Sequence, residues 1–178
     1  MIELEKTYLA KTIPTDIRNF PSKEIIDIYI PKTVEHPVLR IRKSGEKYEM
    51  TKKTPIKDGD ASEQTEQTIA LSKEEFDALT KLDGKRTHKI RYYYKVQGQT
   101  AEIDIFQDEL AGLVLIDFEF DTIDAKNTFT PPDFCLVDVT QETFLAGGMV
   151  CGKSYADLET RLMKFSYKPL YLKSPNYA

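Results

Sequence analysis

Along most of the chain, apolar and polar side chains alternate one by one, which is the period of an extended strand. Ile2–Ala10, Glu24–Ile30, Val38–Lys43 and Lys47–Lys53 alternate in this way. Further strands are predicted at Glu66–Leu71, His88–Val96, Thr100–Phe106, Leu113–Asp121 and Cys135–Thr140. They are short and separated by turn sequences such as Lys43-Ser-Gly-Glu46 and Val96-Gln-Gly-Gln99, the mark of antiparallel hairpins. Thr54–Glu63 (TPIKDGDASE) is polar and carries Pro and Gly, so it reads as a loop.

The 3.6-residue period takes over in only a few places. Ser72-Lys-Glu-Glu75 is a capping box, and Phe76, Leu79 and Leu82 then share a face, so a helix is predicted over about Lys73–Leu82. Ser154 is placed to cap a second helix, Tyr155–Phe165, with Leu158, Leu162 and Phe165 on one side. A short helix near Ile123–Asn127 is ended by Pro131-Pro132. These helices are too few for a doubly wound sheet.

Strand parity decides which charges share a face. Glu3 and Glu5 lie on one face of their strand, as do Arg40 and Arg42, Lys89 and Arg91, Glu102 and Asp104, and Asp117, Glu119 and Asp121. The opposite faces carry Leu39 and Ile41, Ile103 and Ile105, or Ile116, Phe118 and Phe120. A solvated polar face accounts for any one such strand. Taken together, the strands present one apolar face and one bearing full charges of both signs, with little helix to cover the apolar side. A closed barrel with a polar lumen and an apolar outer wall accommodates this. Cations and carboxylates in one lumen must be paired or bound to ions. That mixture suits a polyanion held with divalent cations, arginine forks gripping phosphate oxygens and carboxylates holding metal.

Composition narrows the choice. The chain has 178 residues, 40% of them hydrophobic and 30% charged, which is enough for one domain with a full core. A net charge of −4 argues against a general nucleic-acid or membrane binder. No apolar run approaches the length of a membrane span, and MIELEKTYLAK carries acids at once with no apolar stretch of a signal peptide. Cys135 and Cys151 show no metal or redox spacing and read as reduced thiols, so a cytoplasmic protein is expected. His36 and His88 have no third ligand at zinc spacing. Gly147-Gly-Met-Val-Cys-Gly-Lys-Ser154 spells a Walker A motif. However, a P-loop needs a parallel strand-loop-helix unit and a later acidic strand, and only 24 residues follow Ser154. The glycines are expected to let the chain leave the last strand.

The ordered set of motifs over roughly residues 2–150 resembles the CYTH superfamily, the triphosphate tunnel metalloenzymes. Ile2-Glu-Leu-Glu-Lys-Thr7 resembles the family's E-x-E-x-K motif, and Leu39-Arg-Ile-Arg42 its R-x-R strand. Tyr48–Lys53 resembles the next strand, with Lys53 in the lysine position, and Lys89-Ile-Arg91 the basic pair that follows. Glu102–Phe106 and Asp117–Phe120 resemble the acidic strands. Pro131-Pro-Asp-Phe134 with Val137-Asp-Val-Thr140 resembles the P-x-W/F…E-V-T ending. The resemblance implies an eight-stranded antiparallel closed tunnel, mainly β with a few peripheral helices. It implies a single domain over 1–178, with the tunnel in 1–150 and a helix near 154–165 followed by a tail. It implies Mg²⁺ or Mn²⁺ held by Glu3, Glu5, Asp117, Glu119 and Asp138. Substrate phosphates would be bound by Arg40, Arg42, Lys53, Glu66, Lys89 and Arg91, with Glu5, Lys53 and Lys89 in catalysis. The implied partner is a small-molecule triphosphate, with nucleic acid limited to a 5′-triphosphate end and the oligomer open between monomer and homodimer.

There are departures from the family pattern. Thr7 stands where the motif lysine belongs, and Lys6 beside it points to the other face. Gln64, Glu66 and Thr68 replace R-x-E-x-E, and Asp27-Ile-Tyr29 replaces Q-x-Y. Hydrolysis of a triphosphate at its terminal phosphoryl group is the leading expectation. A degenerate, catalytically weak nucleotide- or polyphosphate-binding protein and a class IV-type adenylyl cyclase are the alternatives.

Overall fold

The structure is a computed structural model that describes residues 2–57 and 60–172. Among the described residues, nine strands form one antiparallel sheet: β1 (Ile2–Ala10), β2 (Ser22–Ile30), β3 (Leu39–Ser44), β4 (Lys47–Pro55), β5 (Glu63–Leu71), β6 (Lys85–Val96), β7 (Gln99–Phe106), β8 (Val114–Phe120) and β9 (Cys135–Asp138). Their spatial order is β5-β4-β3-β2-β6-β7-β8-β1-β9. A further pairing of β1 with β5, at Ile2↔Thr65, Glu3↔Gln64 and Leu4↔Glu63, closes the first eight strands into a barrel. β9 pairs with the far half of β1 on the same edge. The expected eight-stranded closed antiparallel barrel with a few helices is therefore what forms.

Alternation builds the wall. Leu4, Tyr8, Ile103, Ile116, Phe118 and Phe120 turn outward and are buried under peripheral segments. Phe129 covers this surface, its ring 4.6 Å from that of Phe118 and 5.1 Å from that of Phe120. A second cluster forms where Leu158 and Leu162 of the C-terminal helix pack with Leu9, Leu113, Phe144 and Leu145. Each fully buried aliphatic or aromatic side chain contributes about 1.5–3 kcal/mol.

Among the described residues, four α-helices lie outside the sheet: α1 (Lys73–Leu79), α2 (Ile123–Thr128), α3 (Gly147–Val150) and α4 (Tyr155–Met163). The Ser72 capping box forms as expected, with Glu75 N–H donating to Ser72 Oγ and Ser72 N–H to Glu75 Oε2. Phe76 fixes α1 on the barrel against Tyr48. The helix stops three residues earlier than the periodicity predicts, and Leu82 lies exposed beyond it. Ser154 caps α4 in a second box with Asp157. The Thr54–Glu63 loop is shorter than expected, because β4 runs to Pro55 and β5 starts at Glu63. Its residues 58 and 59 lie outside the described residues, as do 173–178 of the tail. Among the described residues, no helix is long and apolar enough to cross a membrane.

Candidate active site: a charged tunnel

The barrel interior is a cavity of about 540 Å³. Among the described residues, its strands line it with nine carboxylates: Glu3, Glu5, Asp27, Glu49, Glu66, Glu102, Asp104, Asp117 and Glu119. Five cations face them: Arg40, Arg42, Lys53, Lys89 and Arg91. Formally the strand side chains carry four more negative than positive charges, and Asp60 and Glu142 add to the negative side from outside the strands. In a barrel interior, such an excess calls for cations from outside.

The charges separate into two regions. On β2, β3, β6 and β7 the cations are already paired. Arg42 forks onto Asp27, Nε to Oδ1 at 2.6 Å and Nη2 to Oδ2 at 2.8 Å. Arg91 forks onto Asp104 with two bonds of 2.6 Å, also pairs with Glu102, and reaches Asp117 at 3.3 Å. Lys89 donates to the same Asp104 carboxylate. Burial alone would raise the Asp27 carboxyl. The Arg42 charge and hydrogen bonds, with Arg40 and Lys89 beside them, outweigh it and hold Asp27 well below the usual carboxylate range. Asp104 is pushed up by burial and pulled further down by Arg91 and Lys89, to about 2. Burial lowers the Lys89 ammonium, with Arg91 and Arg42 adding to the effect against Asp104.

On β1, β5 and β8 the carboxylates dominate. Glu5 stands opposite Glu119 across the β1–β8 ladder, and Thr7 opposite Asp117. Glu5 is raised to about 7, first by burial and then by Asp117, Glu3 and Glu119, against the lowering effect of Lys53. The Lys53 ammonium pairs with Glu3 and lies 3.7 Å from Glu5 and 3.5 Å from Glu66. Gln64 Nε2 donates to Glu5 Oε1 at 3.2 Å. Among the described residues, no three His, Cys, Asp or Glu side chains are gathered tightly enough to hold a metal ion as they stand, since Lys53 occupies the middle of the group. The donor chemistry nevertheless fits a hard divalent cation, being all carboxylate oxygen with negative charge left over.

The structure brings nearly all of the sequence-predicted site residues together. Glu3, Glu5, Arg40, Arg42, Lys53, Glu66, Lys89, Arg91, Asp117 and Glu119 all line the one cavity. Asp138 does not and needs correcting. Val139 faces the tunnel, so the intervening Asp138 turns outward, 4.0 Å from Lys6, and accepts from Thr140. β9 is only four residues long, and the register shift between Leu9 and Ala10 beside it leaves too little alternation to orient it from sequence.

Glu49 was missed, although it lies in phase with Thr51 and Lys53. Asp27 was noted only as a departure, although it is the single acid between Ile26 and Ile28. Thr7 faces the lumen as expected and donates from Oγ1 to Asp117 Oδ1 at 2.7 Å, while Lys6 points out.

The Walker-like string is packing. α3 is a single helical turn closing one end of the cavity with Leu145 and Val150, beside Phe106 and Leu115. A Cβ on Gly147 would collide with the Tyr29 hydroxyl. One on Gly148 would collide with the Pro37 carbonyl oxygen and come within 2.8 Å of His36.

A closed antiparallel barrel whose inner face is lined by acids and by arginine and lysine side chains defines a charged-tunnel protein. The chain belongs to the CYTH family, whose domain model matches residues 11–126. It is 32% identical over 145 residues to an inorganic triphosphatase of Nitrosomonas europaea, covering 80% of this chain and 91% of that protein. The solved structure of an inorganic triphosphatase superposes with a TM-score of 0.61 at 26% identity, covering 85% of this chain and 95% of that one. A protein from Pyrococcus horikoshii shares the fold at 20% identity and a TM-score of 0.50, over 70% of this chain and 82% of that one.

Proposed function

We propose that this chain is a metal-dependent triphosphatase that releases the terminal phosphoryl group of a linear triphosphate, with inorganic triphosphate as its first substrate. The observation that carries this reading is the tunnel lining: five arginine and lysine side chains in one lumen with more carboxylates than they neutralise. The relation to the Nitrosomonas europaea inorganic triphosphatase supports it. The reading takes the chain as one CYTH-like domain, with the tunnel in 1–150 and the C-terminal helix against its wall.

Glu3, Glu5, Asp117 and Glu119 would hold Mg²⁺ or Mn²⁺. The bound cation would neutralise phosphate charge and polarise the phosphoryl group. Arg40 and Arg42 on one side, and Lys89 and Arg91 on the other, meet phosphate oxygens and stabilise the charge that builds as the terminal bond breaks. Lys53 enters as an ammonium. Burial disfavours that form, but Glu5 and Glu3 outweigh it, so Lys53 serves as a charge-stabilising donor and not as a base at neutral pH. Glu66 orients Lys53 from the opposite strand.

The second reading, a triphosphate binder of weak turnover, has one specific observation behind it. The motif lysine position holds Thr7, whose hydroxyl is spent on Asp117. A panel of inorganic triphosphate, thiamine triphosphate, ATP and 5′-triphosphate RNA, with Mg²⁺ and Mn²⁺ compared, decides between them. Phosphate release that Glu5→Gln abolishes supports the enzyme. Tight binding of triphosphate without release of phosphate from any substrate refutes it, and cyclic AMP with pyrophosphate from ATP would identify a cyclase instead.

A further inference from the structure

Asp27 is more than a partner that makes Arg42 tolerable inside the barrel. It lines the tunnel, its side chain is 3% exposed, and both of its oxygens are committed to the Arg42 fork. Arg40 stands on the same strand, its Nε 3.9 Å from the same carboxylate. That Nε is buried, and no hydrogen-bond partner for it is found among the described residues. Two buried guanidinium groups on one strand face would, without a counter-ion, bind any small oxyanion that entered. In this chain that position is already filled by an anion belonging to the protein.

We propose that Asp27 is the specificity-determining residue of the tunnel: a built-in counter-ion that holds the Arg40–Arg42 grip closed to singly anchored anions such as orthophosphate and yields it only to a linear polyphosphate. The inference rests on the triphosphate reading above and concerns which anions that site accepts. A single phosphoryl group brings about one and a half to two negative charges and can only trade places with a carboxylate already forked onto Arg42. A linear triphosphate also reaches the other lumen cations, Lys89 among them, and those added contacts offset the cost of releasing Asp27. Arg40, with its free buried donor, is where such a chain first meets the grip. The same device keeps the product orthophosphate from occupying the tunnel.

The test is calorimetric binding of inorganic triphosphate and of orthophosphate to the intact protein, wild type against Asp27→Asn and Asp27→Glu, with folding checked by thermal melting. Asn keeps the shape and removes the charge. It should tighten orthophosphate binding by roughly tenfold or more and triphosphate by a smaller factor, so that discrimination between the two falls by about fivefold. Glu keeps the charge and should preserve discrimination within about twofold. A folded Asn variant whose discrimination equals the wild type's overturns the proposal. Where the Asn variant does not fold, the unmodified protein still answers. Triphosphate should raise its melting temperature while orthophosphate at matched total charge does not, and equal stabilisation by both overturns the proposal. If the wild type binds neither anion with Mg²⁺ present, the triphosphate reading itself falls. If it binds triphosphate and the discrimination is indifferent to the charge at 27, only this inference does.

Discussion

Replacing Asp104 with Asn removes one negative charge from the most densely paired point in the lumen. Asp104 is 1% exposed, receives two hydrogen bonds from Arg91, and pairs with Lys89. The amide keeps the volume and leaves two buried cations short of a partner, and breaking a buried pair from one side costs about 3–5 kcal/mol. For a chain of this size each kcal/mol moves the melting temperature by about 2–4 °C, so Asp104→Asn should melt roughly 6–20 °C lower at pH 7.

The pH dependence gives an independent check. The Asp104 carboxyl sits at about 2 against an ordinary 3.8. A depressed carboxyl contributes stability that is complete above its unfolded pKa and is lost as pH falls through its folded value. Somewhat under two units corresponds to about 2–3 kcal/mol, present above about pH 4 and lost between about pH 4 and pH 2. Denaturant unfolding of wild type and variant at pH 7, 5, 4, 3 and 2 should show the gap between them narrowing in that window and nowhere above it. A gap below about 1 kcal/mol at pH 7, or one that stays constant from pH 5 to pH 2, would refute the claim that Asp104 anchors Arg91 and Lys89 by charge.

Three other substitutions probe separate parts of the molecule. Glu5→Gln should reduce phosphate release to background while triphosphate binding by calorimetry persists in metal-free buffer; unchanged turnover would remove Glu5 from the site. Thr7→Lys adds a cation beside Asp117 in a lumen with surplus negative charge, and should raise the turnover number if the tunnel is otherwise complete; a folded variant with unchanged or lower turnover sinks that idea. Gly148→Ala drives a methyl into Pro37 and His36 and should cost about 1–3 kcal/mol in thermal melting, a penalty no surface loop would show.

Much of the tunnel was legible because strands impose a period of two. Once Glu3 and Glu5, Arg40 and Arg42, or Lys89 and Arg91 are known to lie on strands, each pair must share a face. The neighbouring isoleucines and phenylalanines then decide which face is the lumen. The capping boxes at Ser72 and Ser154 were equally local, since each is closed by residues three positions apart. Where the periodic run is short, the inference failed. Four-residue β9 turned Asp138 outward. The Gly147–Ser154 string, set aside as a P-loop on its surroundings, holds a helical turn at Gly147–Val150 packed on Tyr29 and Pro37.

The sequence by itself thus determined the antiparallel strands, the two-faced wall and the identity of nearly every charge inside the barrel, because these follow from nearest-neighbour alternation along the chain. Only the tertiary structure decided how those charges are matched. That Asp27 belongs to Arg42, that Asp104 holds both Arg91 and Lys89, that Lys53 sits among Glu3, Glu5 and Glu66, and that Thr7 closes on Asp117 depend on ladder register and on contacts across the lumen. Arg91 and Asp104, Asp27 and Arg42, and Thr7 and Asp117 are directly opposed on neighbouring strands, so ladder register fixes those matches, whereas Lys53 reaches Glu3 and Glu5 only because β1 pairs with β5 and closes the barrel, a contact between distant strands that alternation along the chain does not encode.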